Sequence, residues 1–235
     1  VLILALDSTS APSTAAVYKD GRQAALYTIV SGNTHSETLL PMISHMLGTL
    51  GLRVDDVDAF ACSVGPGSFT GVRIGVAAIK GLAFGTHKPC VGVSTLEALA
   101  ENLRGFGRDG VVVPLMNARR GQVYTATFDA RTLERLTPDR AVAAAELARE
   151  LEDVRGDIII NGDGDELLEG VMAPGRLVRA PEHLRLQNAF SVAVCAARQL
   201  ERGGLFADTD LKPAYLRMSQ AERERNDAQK LKGDR

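Results

Sequence analysis

The sequence predicts an α/β protein of two lobes, each built on a βββαβα core. Three observations carry that prediction. Apolar runs of strand length alternate with amphipathic stretches of helical period. A glycine-rich break, Gly105 to Gly110 (GFGRDG), divides the chain, and the order of elements before it partly repeats after it. The 235 residues are 45% hydrophobic with no tryptophan and 5% aromatics, so a sizeable core is available and is built of Ala, Val, Leu and Ile. The predicted boundaries are 1–105 for the first lobe, 106–218 for the second, and 219–235 for a polar tail.

Val1 to Leu6 is an apolar run of strand length, stopped by Asp7-Ser8-Thr9-Ser10. Ser13 to Tyr18 and Gln23 to Val30 are two more strands, joined across Lys19-Asp20-Gly21-Arg22, where Asp-Gly is a strong hairpin signal. A helix follows, with Leu39, Leu40, Ile43, Met46, Leu47 and Leu50 as its apolar stripe and Thr34 with Glu37 as a capping box. Pro41 requires this helix either to start later than Thr34 or to bend, because proline is tolerated cheaply only in a first turn. Asp58 to Val64 is a strand, and the turn GPGSFTG leads into a helix ending near Phe84. Cys90 to Val93 is a strand, and Ser94 caps a helix to about Leu103.

After the break, Val111 to Met116 is a strand. Gln122 to Phe128 and Thr132 to Leu136 read as a hairpin over Asp129-Ala130-Arg131, Ala141 to Leu151 as a helix, and Asp157 to Ile160 as a strand. A short helix near Glu166 to Glu169, a strand near Leu177 and an amphipathic helix from Asn188 to Glu201 complete the lobe. The tail from Ser219 is almost devoid of apolar residues and is expected to be disordered or a solvated helix.

The net charge of −2 argues against a protein held on nucleic acid by its overall field. Cys62, Cys90 and Cys195 are widely spaced in apolar surroundings, which implies reduced buried thiols. No apolar run approaches the ~20 residues of a membrane helix, and VLILAL is too short for a signal segment. The expected location is the cytoplasm, with no membrane partner.

Four stretches carry candidate chemistry. Asp7-Ser8-Thr9-Ser10 at the end of a buried strand resembles the first phosphate loop of the actin-like ATPase and sugar-kinase architecture, or is a plain turn with Asp7 bonded to backbone donors. Hydroxyl residues replace the glycine expected there, which would crowd a triphosphate. GPGSFTGVRIG, Gly65 to Gly75, lacks the lysine of a phosphate-binding P-loop and the spacing of a dinucleotide fingerprint. Gly71, Gly75 and Ala78 recur at helical spacing and form a smooth face, suited to close approach of another helix or to packing on the lobe's own sheet. His35 lacks a second histidine four residues on, where Leu39 stands, so no metal pair is predicted. Arg119 and Arg120, in Asn117 to Tyr124, could meet phosphate or carboxylate or be a solvated hairpin. No Ser-His-Asp or Cys-His nucleophile arrangement can be traced.

Together LALDSTS, THSETLLPMI, GPGSFTGVRIG, NARRGQVY and KPAYLR resemble the TsaB (YeaZ) family, in family order from Leu2 to about Arg217. The resemblance implies the two-lobe actin-like ATPase (ASKHA) fold with its duplicated βββαβα core. It implies a non-catalytic paralogue of the TsaD enzyme, in the pathway that makes N6-threonylcarbamoyladenosine (t6A) beside the anticodon of tRNA. It implies dimerisation with TsaD through the first-lobe helices, a TsaE-like ATPase as a further partner, homodimers over the same surface, and tRNA met only indirectly. Older descriptions call the wider family glycoprotease-like. Asn117 departs from the family's Asp-Ala-Arg-Arg pattern.

On this reading there is no catalytic residue, metal or cofactor; Asp7, Ser8 and Thr9 form a vestigial phosphate loop. The partner surface is His35, Leu39, Ile43, Met46, Leu47, Gly71, Arg73, Gly75 and Ala78, in a four-helix arrangement. Two rivals are an ATPase or phosphotransferase using Asp7 with a Mg-nucleotide, and a glycoprotease-like peptidase.

Overall fold

A computed structural model describes residues 1–203 and 207–217. The polar tail 219–235 lies outside them. The strands are β1 (Leu2–Asp7), β2 (Ser13–Lys19), β3 (Arg22–Ile29), β4 (Ala59–Gly65), β5 (Cys90–Ser94), β6 (Gly110–Asn117), β7 (Gln122–Thr125), β8 (Phe128–Asp129), β9 (Arg140–Ala143), β10 (Asp157–Asn161) and β11 (Leu177–Arg179). The helices are α1 (His35–Thr49), α2 (Phe69–Ala83), α3 (Thr95–Glu101), α4 (Ala144–Leu151), α5 (Asp165–Glu169), α6 (Glu182–Arg185) and α7 (Ala189–Glu201).

Two mixed sheets run β3-β2-β1-β4-β5 and β9-β7-β6-β10-β11, with β8 added beside β6. In each, an antiparallel meander precedes a helix and two parallel crossovers. Strand matches strand, β1 to β6 and β4 to β10. The duplicated pattern is therefore present in the topology.

Strand alternation decides the layers. Leu2, Leu4 and Leu6 of β1 face α1 and α2 and share a core with Leu39, Ile43, Met46, Leu47, Val72 and Ile79. Ile3 and Ala5 point the other way, with Ala59, Ala61, Val91 and Val93, onto α7. Ala5, Ala59 and Ala61 among them are small, so α7 can lie close to the sheet. In the second sheet Val113, Leu115, Ile158 and Ile160 pack against Leu147, Leu151 and Leu168. Leu96, Leu99 and Leu103 instead meet Val112, Met116 and Ile159, which places α3 between the two sheets.

Several details depart from the sequence expectations. α1 begins at His35 and runs through Pro41, which is exposed, so the missing N–H leaves one helical carbonyl unbonded on the solvent side. Ala141 to Ala143 belong to strand β9, not to a helix, because they pair with β7 (Tyr124 with Ala141, Gln122 with Ala143). Thr132 to Leu136 forms no strand; only an isolated bridge joins Phe128 to Arg135. α7, in the second half of the chain, returns to the first sheet and contributes Val192, Ala193, Cys195 and Ala196 to its core.

Candidate functional site

The ends of β1 and β6 meet across a cleft of about 700 Å³ between the two sheets. Its walls include Thr9, Ser10, Gly67 and Ser68 from one side and Asn117, Arg119, Tyr124 and Asp163 from the other. The segment Ala214 to Arg217 completes it.

Asp7 lies beneath the cleft rather than in it. It has no exposed surface. Its Oδ1 accepts from the Thr9 N–H and the Thr9 hydroxyl, both at 2.8 Å. Oδ2 and the Ser63 hydroxyl lie near each other without a well-formed hydrogen bond, and neither has another partner. Burial raises the Asp7 pKa, partly offset by Ser63 and Thr9. Asn117, at the matching position of the second half, makes the same turn: its Oδ1 accepts from the Arg119 N–H at 2.8 Å. The Asn117 side chain can make this bond without a charge.

The loop after Asp7 is consumed internally. The Ser8 hydroxyl donates to the Gly71 carbonyl at 2.9 Å, and the Ser68 N–H donates to the Thr9 carbonyl at 2.7 Å. The Ser10 hydroxyl donates to Asp163 Oδ2 at 2.5 Å, and the Asn117 N–H donates to Asp163 Oδ1 at 3.0 Å. Groups that would face a phosphate are thus bonded to one another across the cleft.

This geometry explains the glycines. A Cβ on Gly71 would stand 2.0 Å from the Ser8 carbonyl oxygen. On Gly75 it would meet the Ser8 hydroxyl oxygen at 2.6 Å, and on Gly67 the Thr9 carbonyl at 2.5 Å. Gly71 and Gly75 are buried against their own β1 loop, so they are not placed on an outer face, as the partner-surface expectation required. Leu39, Ile43, Met46 and Leu47 are likewise buried in their own core, at 4% exposure or less. His35 is half-buried and shares a hydrogen bond of 2.7 Å with the Ser13 hydroxyl. Arg73 is exposed, and Ala78 half-buried.

The outward side of these helices carries other residues. Leu40, Ser44 and Gly48 follow one another at four-residue spacing on α1, all exposed, and Leu40 is 49% accessible. With Leu82 of α2 and Leu52 and Val54 beyond α1 they border an apolar groove of about 440 Å³. Phe84, at the end of α2, is 82% exposed. Among the described residues, no three His, Cys, Asp or Glu side chains converge as a metal site.

The family model for TsaD, the tRNA N6-adenosine threonylcarbamoyltransferase, matches residues 10–160. A protein of Escherichia coli, "tRNA threonylcarbamoyladenosine biosynthesis protein TsaB", is 30% identical over 220 residues, covering 92% of this chain and 94% of its own. The chain belongs to the TsaB family. The TsaB protein of Bacillus subtilis is also 30% identical, over 97% of this chain and 99% of its own. The solved structure of YeaZ from Pseudomonas aeruginosa superposes with a TM-score of 0.79 at 28% identity, covering 92% of this chain and 99% of that one. Component A of (R)-2-hydroxyglutaryl-CoA dehydratase from Acidaminococcus fermentans, with 12% identity and a TM-score of 0.53 over 86% of this chain and 99% of its own, shares the fold alone. The TsaB chain therefore has the two-lobe actin-like fold.

Two parts of this TsaB cleft are visible in the sequence but not assigned to it: Gly162-Asp163-Gly164, which reads only as a weak match to a second phosphate loop, and the KPAYLR motif that ends at Arg217. Asp163 sits between Gly162 and Gly164, whose Cβ positions would strike Leu115 and Met116 backbone atoms at 2.0 and 2.9 Å. The glycine pair marks a backbone packed tightly on the end of β6, which its weak likeness to a phosphate loop does not convey. The other is Ala214 to Arg217, which lies against Val64 through an Ala214 N–H to Val64 carbonyl bond of 2.7 Å. No element of helical or strand period announces it.

Proposed function

We propose that this chain is a non-catalytic accessory subunit of tRNA t6A formation, which binds a TsaD-like transferase through the outer face of α1 and α2. One observation carries the reading. The residues placed to hold a phosphate spend their donors and acceptors on each other, with Ser10 on Asp163 and Ser8 on Gly71, and Asp7 is buried beneath the cleft with Oδ1 taken by Thr9. A nucleotide would have to break these bonds and displace the close contact of α2 on the loop. The fold is kept while the floor of its cleft is tied by its own hydrogen bonds.

What supports the partner surface is the contrast with the α1–α2 exterior. Leu40, Ser44, Gly48 and Leu82 leave apolar and small groups bordering a groove that nothing in this chain fills among the described residues. The TsaD family model covers the same first-lobe helices, so two related helix pairs can stack as four helices about a pseudo-twofold axis. Homodimers would use the same face, a TsaE-like ATPase joins the assembly, and the complex works in the cytoplasm.

The test is calorimetric titration of the chain with its TsaD-like partner. Leu40→Asp and Ser44→Arg leave the core untouched, so denaturation midpoints stay within the usual surface range of about 0.5 kcal/mol. Affinity is expected to fall at least about tenfold, as for a charge placed in a packed interface centre. Unchanged affinity in both variants refutes this surface. ATP hydrolysis by the isolated chain that disappears in Asp7→Ala would refute the non-catalytic reading.

A further inference from the structure

We propose that the mouth of the interlobe cleft is an RNA-docking surface, formed by Arg73, Arg119, Arg120 and Arg217 around the stacked rings of Phe69 and Tyr215. The proposal rests on the tRNA-modification reading and reverses the expectation that tRNA is met only through the partner.

Four observations converge here. First, the cations are gathered in one place from three distant parts of the chain. Arg73 Nε donates to the Tyr215 hydroxyl at 2.8 Å, and Arg217 donates to the Ala118 carbonyl at 2.8 Å, next to Arg119. Arg119, Tyr215 and Arg217 line the same cleft. Second, none of the four joins an ion pair among the described residues, although most other arginines of the second lobe do. The nearby Asp163 carboxylate is already bonded to Ser10 and to the Asn117 N–H. A cluster of unpaired cations persists in a chain whose net charge is −2, so the positive field is local.

Third, Arg119 and Arg120 occupy left-handed backbone, with φ of 65° and 56°, followed by Gly121 at 70°. Tight hairpins favour Asn and Gly at such positions. Arginine there keeps two long cationic side chains on the rim against the local preference of the turn. Fourth, the aromatic groups are stacked and accessible. The Phe69 and Tyr215 ring centroids are 4.5 Å apart, the Arg73 guanidinium lies 4.0 Å over Phe69, and Tyr215 is 42% exposed.

Cations that track phosphates beside a partly exposed aromatic ring, here Tyr215, are an arrangement that binds single-stranded or looped RNA. A small anion inside the cleft fits less well. Arg73, Arg119 and Arg120 are exposed at the rim, and the floor between Ser10 and Asp163 is closed by their own hydrogen bond.

The experiment is fluorescence anisotropy of a labelled, unmodified tRNA transcript with the full chain, alone and in its complex, from 50 to 200 mM KCl. The variant is Arg119→Asn with Arg120→Gly, which suits the left-handed turn and so leaves folding intact. A second variant is Arg73→Gln, from the other side of the cleft. Arg131→Gln, an exposed arginine paired with Asp109 elsewhere on the second lobe, is the control. Removing one arginine from a phosphate lowers the slope of log K against log salt by about 0.7, so the double variant should drop by about 1.4 and bind several-fold more weakly, while the control is unchanged. Equal affinity and slope in wild type and double variant overturn the proposal. So does saturation by inorganic phosphate or ADP without any binding of the transcript, which would make this a small-anion site. Arginine-dependent binding by the isolated chain, together with no association with the TsaD-like subunit, would keep the docking surface and remove the partner reading instead.

Discussion

Replacing Gly71 by alanine tests the packing that separates this cleft from a nucleotide site. The added Cβ would lie 2.0 Å from the Ser8 carbonyl oxygen, where ordinary contact begins at 3.4 Å. Both atoms belong to rigid backbone, so α2 and the β1 loop must separate by more than an ångström. That movement breaks the Ser8 hydroxyl to Gly71 carbonyl bond and strains the Ser68 N–H to Thr9 carbonyl bond. Two hydrogen bonds at about 1 kcal/mol each, with overpacking strain of about 1–3 kcal/mol, outweigh the gain of up to ~1 kcal/mol in helix propensity. A net loss of about 2–4 kcal/mol corresponds to a Tm lower by roughly 4–16 °C in a chain of this size. Gly81 provides the opposite case on the same helix. It is exposed, and a Cβ there meets nothing within 4 Å. Gly81→Ala should raise stability by about 0.5–1 kcal/mol through the unfolded state and helix propensity. Urea denaturation followed by circular dichroism, on dilute protein, gives both values. If Gly71→Ala unfolds at the wild-type urea concentration or above it, the close contact between α2 and the loop is refuted, and with it the account of how the cleft floor is held.

Asp7→Asn changes the pH dependence of stability with a definite sign. The folded carboxyl has a pKa raised above its ordinary 3.8 by burial, so the folded state binds more protons and wild-type stability falls as pH rises from 3.8 through the raised value. The asparagine keeps an acceptor for Thr9 and has no such slope; urea midpoints of variant minus wild type should therefore rise over that window, and a flat difference refutes the buried charge. The three thiols are buried, with Cys195 pushed up to about 12 by burial and Cys62 higher still. Iodoacetamide at pH 8 should leave the native protein unmodified by mass spectrometry and add three groups in urea; rapid alkylation of the folded chain would contradict this burial.

The elements that a periodicity can reveal were legible, and their partners were not. Helical spacing singled out Leu39, Leu40, Ile43, Met46, Leu47 and Leu50 as one stripe; Leu39, Ile43, Met46 and Leu47 are indeed one face of α1, but that face belongs to the chain's own core, and Leu40 points outward. Ser44 and Gly48, which share the outward face with Leu40, are not apolar stripe residues, so the sequence did not set that face apart. The glycines of GPGSFTGVRIG show the same limit. Their spacing says that something comes close to α2, without saying whether it is a ligand, a second helix or the lobe itself. Ser8, 63 residues before Gly71, is the answer, and only the pairing of β1 with β4 brings it there. α7 was recognisable as an amphipathic helix, yet chain order assigned it to the wrong sheet. Its small residues, Ala193, Ala196 and Ala197, match the small side of the first sheet at Ala5, Ala59 and Ala61. Complementarity of that kind is written in two separate stretches of sequence and becomes a constraint only when the fold sets them opposite each other. The arginines of the cleft mouth follow the same rule. The sequence set Arg119 and Arg120 apart as a paired turn and Arg73 as a helix-surface residue, and what it did not show is that α2, the β6–β7 turn and the segment ending in Arg217 come to one place.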